Sequence, residues 1–149
     1  MGTQTLVPTG TVSSEWETKS PDTTTFHEKI DEGTASPNAE YVETSVAGAT
    51  NVYSMEDSGV DVDTVTQITV NVYGYIDDAA GAAQLQVNVK LAAGTDITGS
   101  PIYMDGSGSP GNFSAYNTTP ELVTQTLTGL SLTKAEVDGL TVTTILLDS

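Results

Sequence analysis

The chain holds one histidine, His27, set between Phe26 and Glu28. Imidazole is the side chain whose ordinary pKa suits proton transfer near neutrality, so a search for acid–base chemistry begins there. A catalytic base needs an orienting partner and a held geometry. His27 lies in a stretch of Thr, Ser, Pro and acidic residues that supplies neither, and it reads as a solvated residue. There is no cysteine, which removes thiolate nucleophiles, disulfides and Cys-based zinc sites together. Serines and threonines are plentiful, but no Gly-x-Ser-x-Gly elbow surrounds any of them. Gly106-Ser107-Gly108 lacks the Gly-Lys-Ser/Thr ending and the following helix of a phosphate loop. Carboxylates abound, yet no spacing selects a pair for glycoside hydrolysis. The chain therefore reads as non-enzymatic, with no cofactor expected.

Two constellations remain. Asp61-Val62-Asp63, close after Glu56-Asp57, offers oxygen ligands of the kind calcium prefers. The EF-hand pattern is absent, and Val60 and Val62 suit an approach to a strand. The stretch reads as a solvated acidic turn and no metal is assigned, with Asp57, Asp61 and Asp63 as the calcium alternative. Tyr73 and Tyr75 fall on the polar side of a strand beside Gln67, Thr69 and Asn71. Such rings can make a platform for a sugar or a protein partner. They can equally be half-covered by the N-terminal segment.

Charge narrows the partners. Twenty acidic residues stand against four basic ones, all lysines (Lys19, Lys29, Lys90 and Lys134), for a net charge of -16. Phosphate backbones and anionic headgroups are held by Lys/Arg stripes, which this chain lacks. Neither nucleic acid nor membrane is an expected partner. No segment has the length and apolarity of a membrane span, and Met1–Gly10 lacks the basic and apolar regions of a secretory signal. A surface this acidic favours solubility and resists sticking to its neighbours.

The elements that would position these residues are strands. At 149 residues the chain suits one domain with a core of its own. Met1 to Ala39 has few large apolar residues, Trp16, Phe26 and Ile30 among them, and Pro8, Pro21 and Pro37 argue against helix. It is expected as an extended N-terminal arm (1–39), with a β-sandwich domain over 40–149. Those three apolar residues, with Tyr73 and Tyr75, are the candidate partner-binding residues, since interface energy concentrates in such anchors. Glu40–Val46 and Asn51–Met55 lean to strand. Thr66–Ile76 alternates cleanly, with Ile68, Val70, Val72 and Ile76 on one face; Gln84–Leu91 does the same with Leu85, Val87, Val89 and Leu91. The short linker between these two predicts an antiparallel hairpin. Leu122–Leu127 is a Thr-rich strand, Thr133-Lys134-Ala135-Glu136 has capping-box spacing, and Leu140–Leu147 is the last strand, with Leu140, Val142 and Leu146 facing inward. Short strands without a long amphipathic helix predict an all-β, antiparallel two-sheet sandwich, jelly-roll-like, an immunoglobulin-like order being the alternative.

The order of features resembles the small β-sandwich structural proteins of tailed phages. Trp16 is followed by Ile30-Asp31-Glu32, Tyr41-Val42 and Thr66-Gln67-Ile68-Thr69-Val70. Leu127-Thr128-Gly129-Leu130-Ser131-Leu132-Thr133 then leads to Asp138-Gly139-Leu140-Thr141-Val142, so that the resemblance covers roughly residues 15–147. It is most similar to capsid decoration (cement) proteins. The resemblance implies a virion component on the outer capsid surface that clamps neighbouring major capsid protein subunits, assembles as a homotrimer, and lays its terminus across them. It transfers no catalytic or ligand residue. The absence of Arg departs from a typical coat component. A tail or fibre component and a carbohydrate-binding adhesive module are the alternatives.

Overall fold

The structure, a computed structural model, describes residues 3–19, 41–59, 64–74, 84–98, 102–105 and 121–147. Nine strands and one helical turn occur among them: β1 (Pro8–Ser14), β2 (Glu17–Lys19), β3 (Tyr41–Glu43), β4 (Thr50–Met55), β5 (Val65–Gly74), β6 (Gln84–Lys90), β7 (Ile102–Asp105), β8 (Glu121–Leu132), α1 (Lys134–Val137) and β9 (Thr141–Leu146). The described fold is all-β, and each strand pairing is antiparallel. A five-stranded sheet runs in the order β1-β4-β9-β6-β7, beside two-stranded ladders β2-β3 and β5-β8.

The register explains the core. Across the large sheet Tyr53 lies beside Val142 and Val142 beside Val89, while Asn51 lies beside Thr144 and Thr144 beside Val87. Directly paired residues share a face, so these rows make one side of the sheet. Val87 and Val89 there join Val70 from β5, Val123, Leu127 and Leu132 from β8, and Val137 and Leu140 in one buried cluster. Ile68, Val72, Leu85 and Val142 pack against it. The inward alternation of β5 and β6 is as expected, whereas on β9 Val142 packs against the core, Leu146 is only half-buried and Thr143, on the opposite face, is the buried residue.

The expected hairpin between β5 and β6 is not formed. Both sides of β6 are occupied, by β9 and by β7, and β5 pairs with β8. Each of the two strands has a single apolar face, and the two faces meet across the cluster instead of lying side by side. Periodicity reports which face is buried and is silent on the neighbour. β8 also runs past the expected end at Leu127, to Leu132. It carries extra residues opposite the step from Val65 to Gln67, with Gly129 at φ +73° there, a backbone setting glycine adopts without strain.

Within the segment expected as an extended arm (Met1–Ala39), the structure describes residues 3–19. Residues 8–14 form the edge of the large sheet, in register with β4, and residues 17–19 pair with β3. This strand escapes a periodicity search because it carries two register shifts and includes Pro8 and Gly10. Gly10 passes so close to β4 that a Cβ there would stand 2.5 Å from Ser54 Oγ.

The helical turn is capped as its spacing requires. The Thr133 hydroxyl and the Glu136 carboxylate each serve the other's backbone N–H in a capping box. Asp138, just beyond, accepts from Ser58 N and Ser58 Oγ at 2.8 Å and pairs with Lys134, whose Nζ also donates to the Ser58 carbonyl at 2.8 Å. The stretch after β4 is thereby pinned to α1. Both carboxyls sit below the ordinary range: Glu136 through the Thr133 N–H and hydroxyl, Asp138 through Lys134 and then Ser58.

Candidate functional site

Two polar arrangements stand out, one buried and one exposed. The buried one begins at Asn51, fully enclosed on β4. A buried amide must find partners for its oxygen and both hydrogens. Asn51 Oδ1 accepts from Ser14 Oγ at 2.6 Å and from the backbone N–H groups of Glu15 at 3.2 Å and Trp16 at 3.3 Å. Its Nδ2 donates to the Tyr53 hydroxyl at 2.8 Å. The Trp16 indole Nε1 donates to the Ala49 carbonyl at 3.0 Å, and the Glu15 carboxylate accepts from Thr50 N at 2.9 Å and Thr50 Oγ1 at 3.0 Å. The chain between β1 and β2 is thus clasped onto the start of β4. Burial pushes the Tyr53 hydroxyl up from 10.0 to about 12, against the Asn51 hydrogen bond, which lowers it. The phenol stays neutral in ordinary buffers. The polar atoms of this clasp are engaged with one another and with the backbone, so it holds structure.

The exposed arrangement is the outer face of the β5–β8 ribbon. The residues between the inward Ile68, Val70 and Val72 point outward and meet their partners across the ladder: Thr69 with Thr126, Asn71 with Thr124, and Tyr73 with Leu122. The Thr69 and Thr126 hydroxyls lie 3.3 Å apart, and Thr124 Oγ1 donates to Asn71 Oδ1 at 2.9 Å. At the end of the ladder Tyr73 is 37% exposed and Leu122 58%, a ring and an aliphatic side chain side by side. The two strands together hold a single ionisable acid or base, Glu121 at the start of β8, apart from the Tyr73 phenol. In a chain of net charge -16 this is a neutral, hydrogen-bonding surface laid on a two-stranded frame. What it can do chemically is recognise, through hydroxyls, amides and an aryl ring.

The candidate residues divide accordingly. Tyr73 is on this outer face, as its strand position predicted, and Trp16 is half-buried in the clasp, its indole N–H already engaged. The two are not brought together by any described contact. Phe26, Ile30 and Tyr75 lie outside the described residues, as do His27, Asp61 and Asp63. Asp57 is exposed, and among the described residues no group of three or more His, Asp or Glu is placed to hold a metal. No described helix is long and apolar enough to cross a membrane. Sequence reasoning missed Asn51 and the neutrality of β8. The first had a legible signal, an Asn two residues from a Tyr in a β-leaning run, which puts both on one face. The second was legible in the absence of charge from Leu122 to Thr133.

No family model matches the chain, and neither a curated protein nor a solved structure matches it.

Proposed function

We propose that the protein is a non-catalytic structural component of a virion, a capsid decoration protein that docks on the major capsid protein at the outer capsid surface. The observation that carries the reading is the neutral outer face of β5–β8, with Tyr73 and Leu122 exposed together at its end. Acidic surface elsewhere limits non-specific sticking between copies at high density, while an uncharged face can be desolvated against a partner without burying unpaired charge. The resemblance in residue order over 15–147 supplies the identity of the partner. The ribbon laid over the core face of the large sheet is here read as the second layer of a jelly-roll-like sandwich.

Binding to purified expanded capsids tests this. Tyr73→Ala and Thr124→Glu should each lower capsid occupancy by about tenfold or more, the scale of losing one interface anchor, with thermal melts unchanged. Full occupancy by both variants would remove this face from the proposal, and absence of capsid binding by the native chain would end the proposal itself. A second reading, a carbohydrate-binding module, is favoured by the Tyr73 ring standing beside Asn71 and Thr124. A glycan array bound by the native chain and not by Tyr73→Ala would select it.

A further inference from the structure

We infer that the open edge of β8 is a self-association site, where a second copy of this chain adds its own β8 in antiparallel register about a twofold axis at Gln125. The inference does not rest on the capsid reading, and it departs from the homotrimer that the resemblance implies. Among the described residues β8 pairs with β5 alone, although it is the longest strand, at 12 residues. Exposure along the strand marks the rim that no described strand covers. Gln125 lies opposite Val70 and shares the inward face with buried Val123 and Leu127, yet Gln125 is itself exposed. An inward-facing residue in solvent marks the border of the layer.

Proteins ordinarily blunt such a border with Lys, Pro, inward charges or bulges. β8 carries no Lys and no Pro, and its only charge is Glu121 at one end. Its register shift lies beyond Thr128, leaving Glu121–Thr128 regular against β5. The edge strand β1 of the large sheet, by contrast, has Pro8, Gly10 and two register shifts. The occupant follows from charge. A copy of a chain at -16 is repelled over most of this surface, and the β5–β8 border is where two copies can approach with little charge between them.

The sequence of β8 is self-complementary about Gln125. In that register Val123 stands beside the partner copy's Leu127 and extends the apolar face, while Thr124 stands beside its Thr126. The Thr row then repeats between copies the hydroxyl contact that Thr69 and Thr126 already make within one. Such an interface is isologous and closes at two copies.

The absence of cysteine makes the test direct. Sedimentation velocity of the native chain should show a dimer, its fraction rising with salt as the repulsion between copies is screened. Gln125→Glu and Gln125→Lys each place like charges opposite one another across the twofold axis, which is destabilising in a strand pair. Both should shift the protein to monomer with unchanged far-UV dichroism. The Lys variant carries the weight, because it lowers the net charge and would favour association by any route driven by charge alone. Gln125→Cys should oxidise to a covalent dimer at least about tenfold faster than Val46→Cys, an exposed control, through effective concentration. A native chain that is monomeric at every concentration and salt overturns the inference. So does a trimer, or a dimer that neither Gln125 charge weakens.

Discussion

The clasp at β1–β4 and the ladder on β5–β8 are both polar seams between neighbouring strands, and they are built in opposite ways. In the clasp one amide, Asn51, gathers three donors and gives one hydrogen to Tyr53, all in or beside the core. In the ladder each contact joins a single pair, Thr69 with Thr126 or Asn71 with Thr124, in exposed positions. A buried polar group left without a partner costs far more than the bond itself contributes. The clasp therefore tolerates one register and one chain path, and it fixes an edge strand whose register shifts and proline give it little hold of its own. An exposed hydroxyl pair exchanges its partner for water at small cost. The ladder is thus free to trade its contacts for those of another surface. One seam specifies the fold and the other leaves a face available.

Removing β1 is the strongest way to break this contrast. Deleting Met1–Ser14 strips β4 of its neighbour and leaves Asn51 and Tyr53 facing solvent. The loss should exceed about 4 kcal/mol, the range of losing a whole buried network, and appear as a collapsed melt. An unchanged melt would mean that the strand merely rests on the sheet, as an arm would. Next in size, Asn51→Ala should cost about 3 kcal/mol by orphaning Tyr53 and the donors at Ser14, Glu15 and Trp16, measured by urea unfolding. Val87→Ala, at a fully buried position, should cost about 2 kcal/mol through the cavity left behind.

Tyr53→Phe sharpens the comparison through pH. The folded hydroxyl titrates near 12 against 10.0 when free. A raised acid contributes stability that is complete below the unfolded value and is lost as pH rises through the folded one. The native chain should therefore lose stability between pH 10 and about pH 12 through this residue. Tyr53→Phe should be less stable at pH 7 by about 1–2 kcal/mol, for the unpaired Asn51 amide, and should show a flatter alkaline limb. On the acid side the depressed carboxyls of Glu136 and Asp138 act in the other direction. Their contribution is present above the unfolded carboxyl values and disappears as pH falls through the folded ones. Asp138→Asn should shorten that acid limb.

Much of the fold was written in side-chain alternation. Ile68, Val70 and Val72, and Val87 and Val89, declare their inward faces, and Thr133 to Glu136 declares its cap. What alternation cannot carry is adjacency. Gly74 and Gln84 are ten residues apart in the chain, yet β5 lies beside β8 and β6 beside β9, because both apolar faces needed the same core. The N-terminal strand was illegible for another reason. Its hold comes from backbone pairing and from Asn51, a residue of β4, so residues 8–14 alone bear no mark of it. Of the candidate site, Tyr73 was readable from its strand face, whereas its partner Leu122 required knowing that β8 is the neighbour.

The smallest expected effect bears most directly on the exposed seam. Thr69→Val and Thr126→Val keep the β-branched shape that suits a strand and remove only the hydroxyls. Each should change stability by less than about 0.5 kcal/mol, and a double-mutant cycle should give a coupling of the same small size, as for other exposed cross-strand pairs. In the clasp, the corresponding cycle of Ser14→Ala with Asn51→Ala should give a coupling several-fold larger, because the Ser14 hydroxyl and the Asn51 oxygen meet at 2.6 Å beside the core. The ratio of the two couplings is the quantity that matters. A large coupling between Thr69 and Thr126 would show that the ladder holds the ribbon together, and its outer face would then have no hydroxyls to spare for a partner.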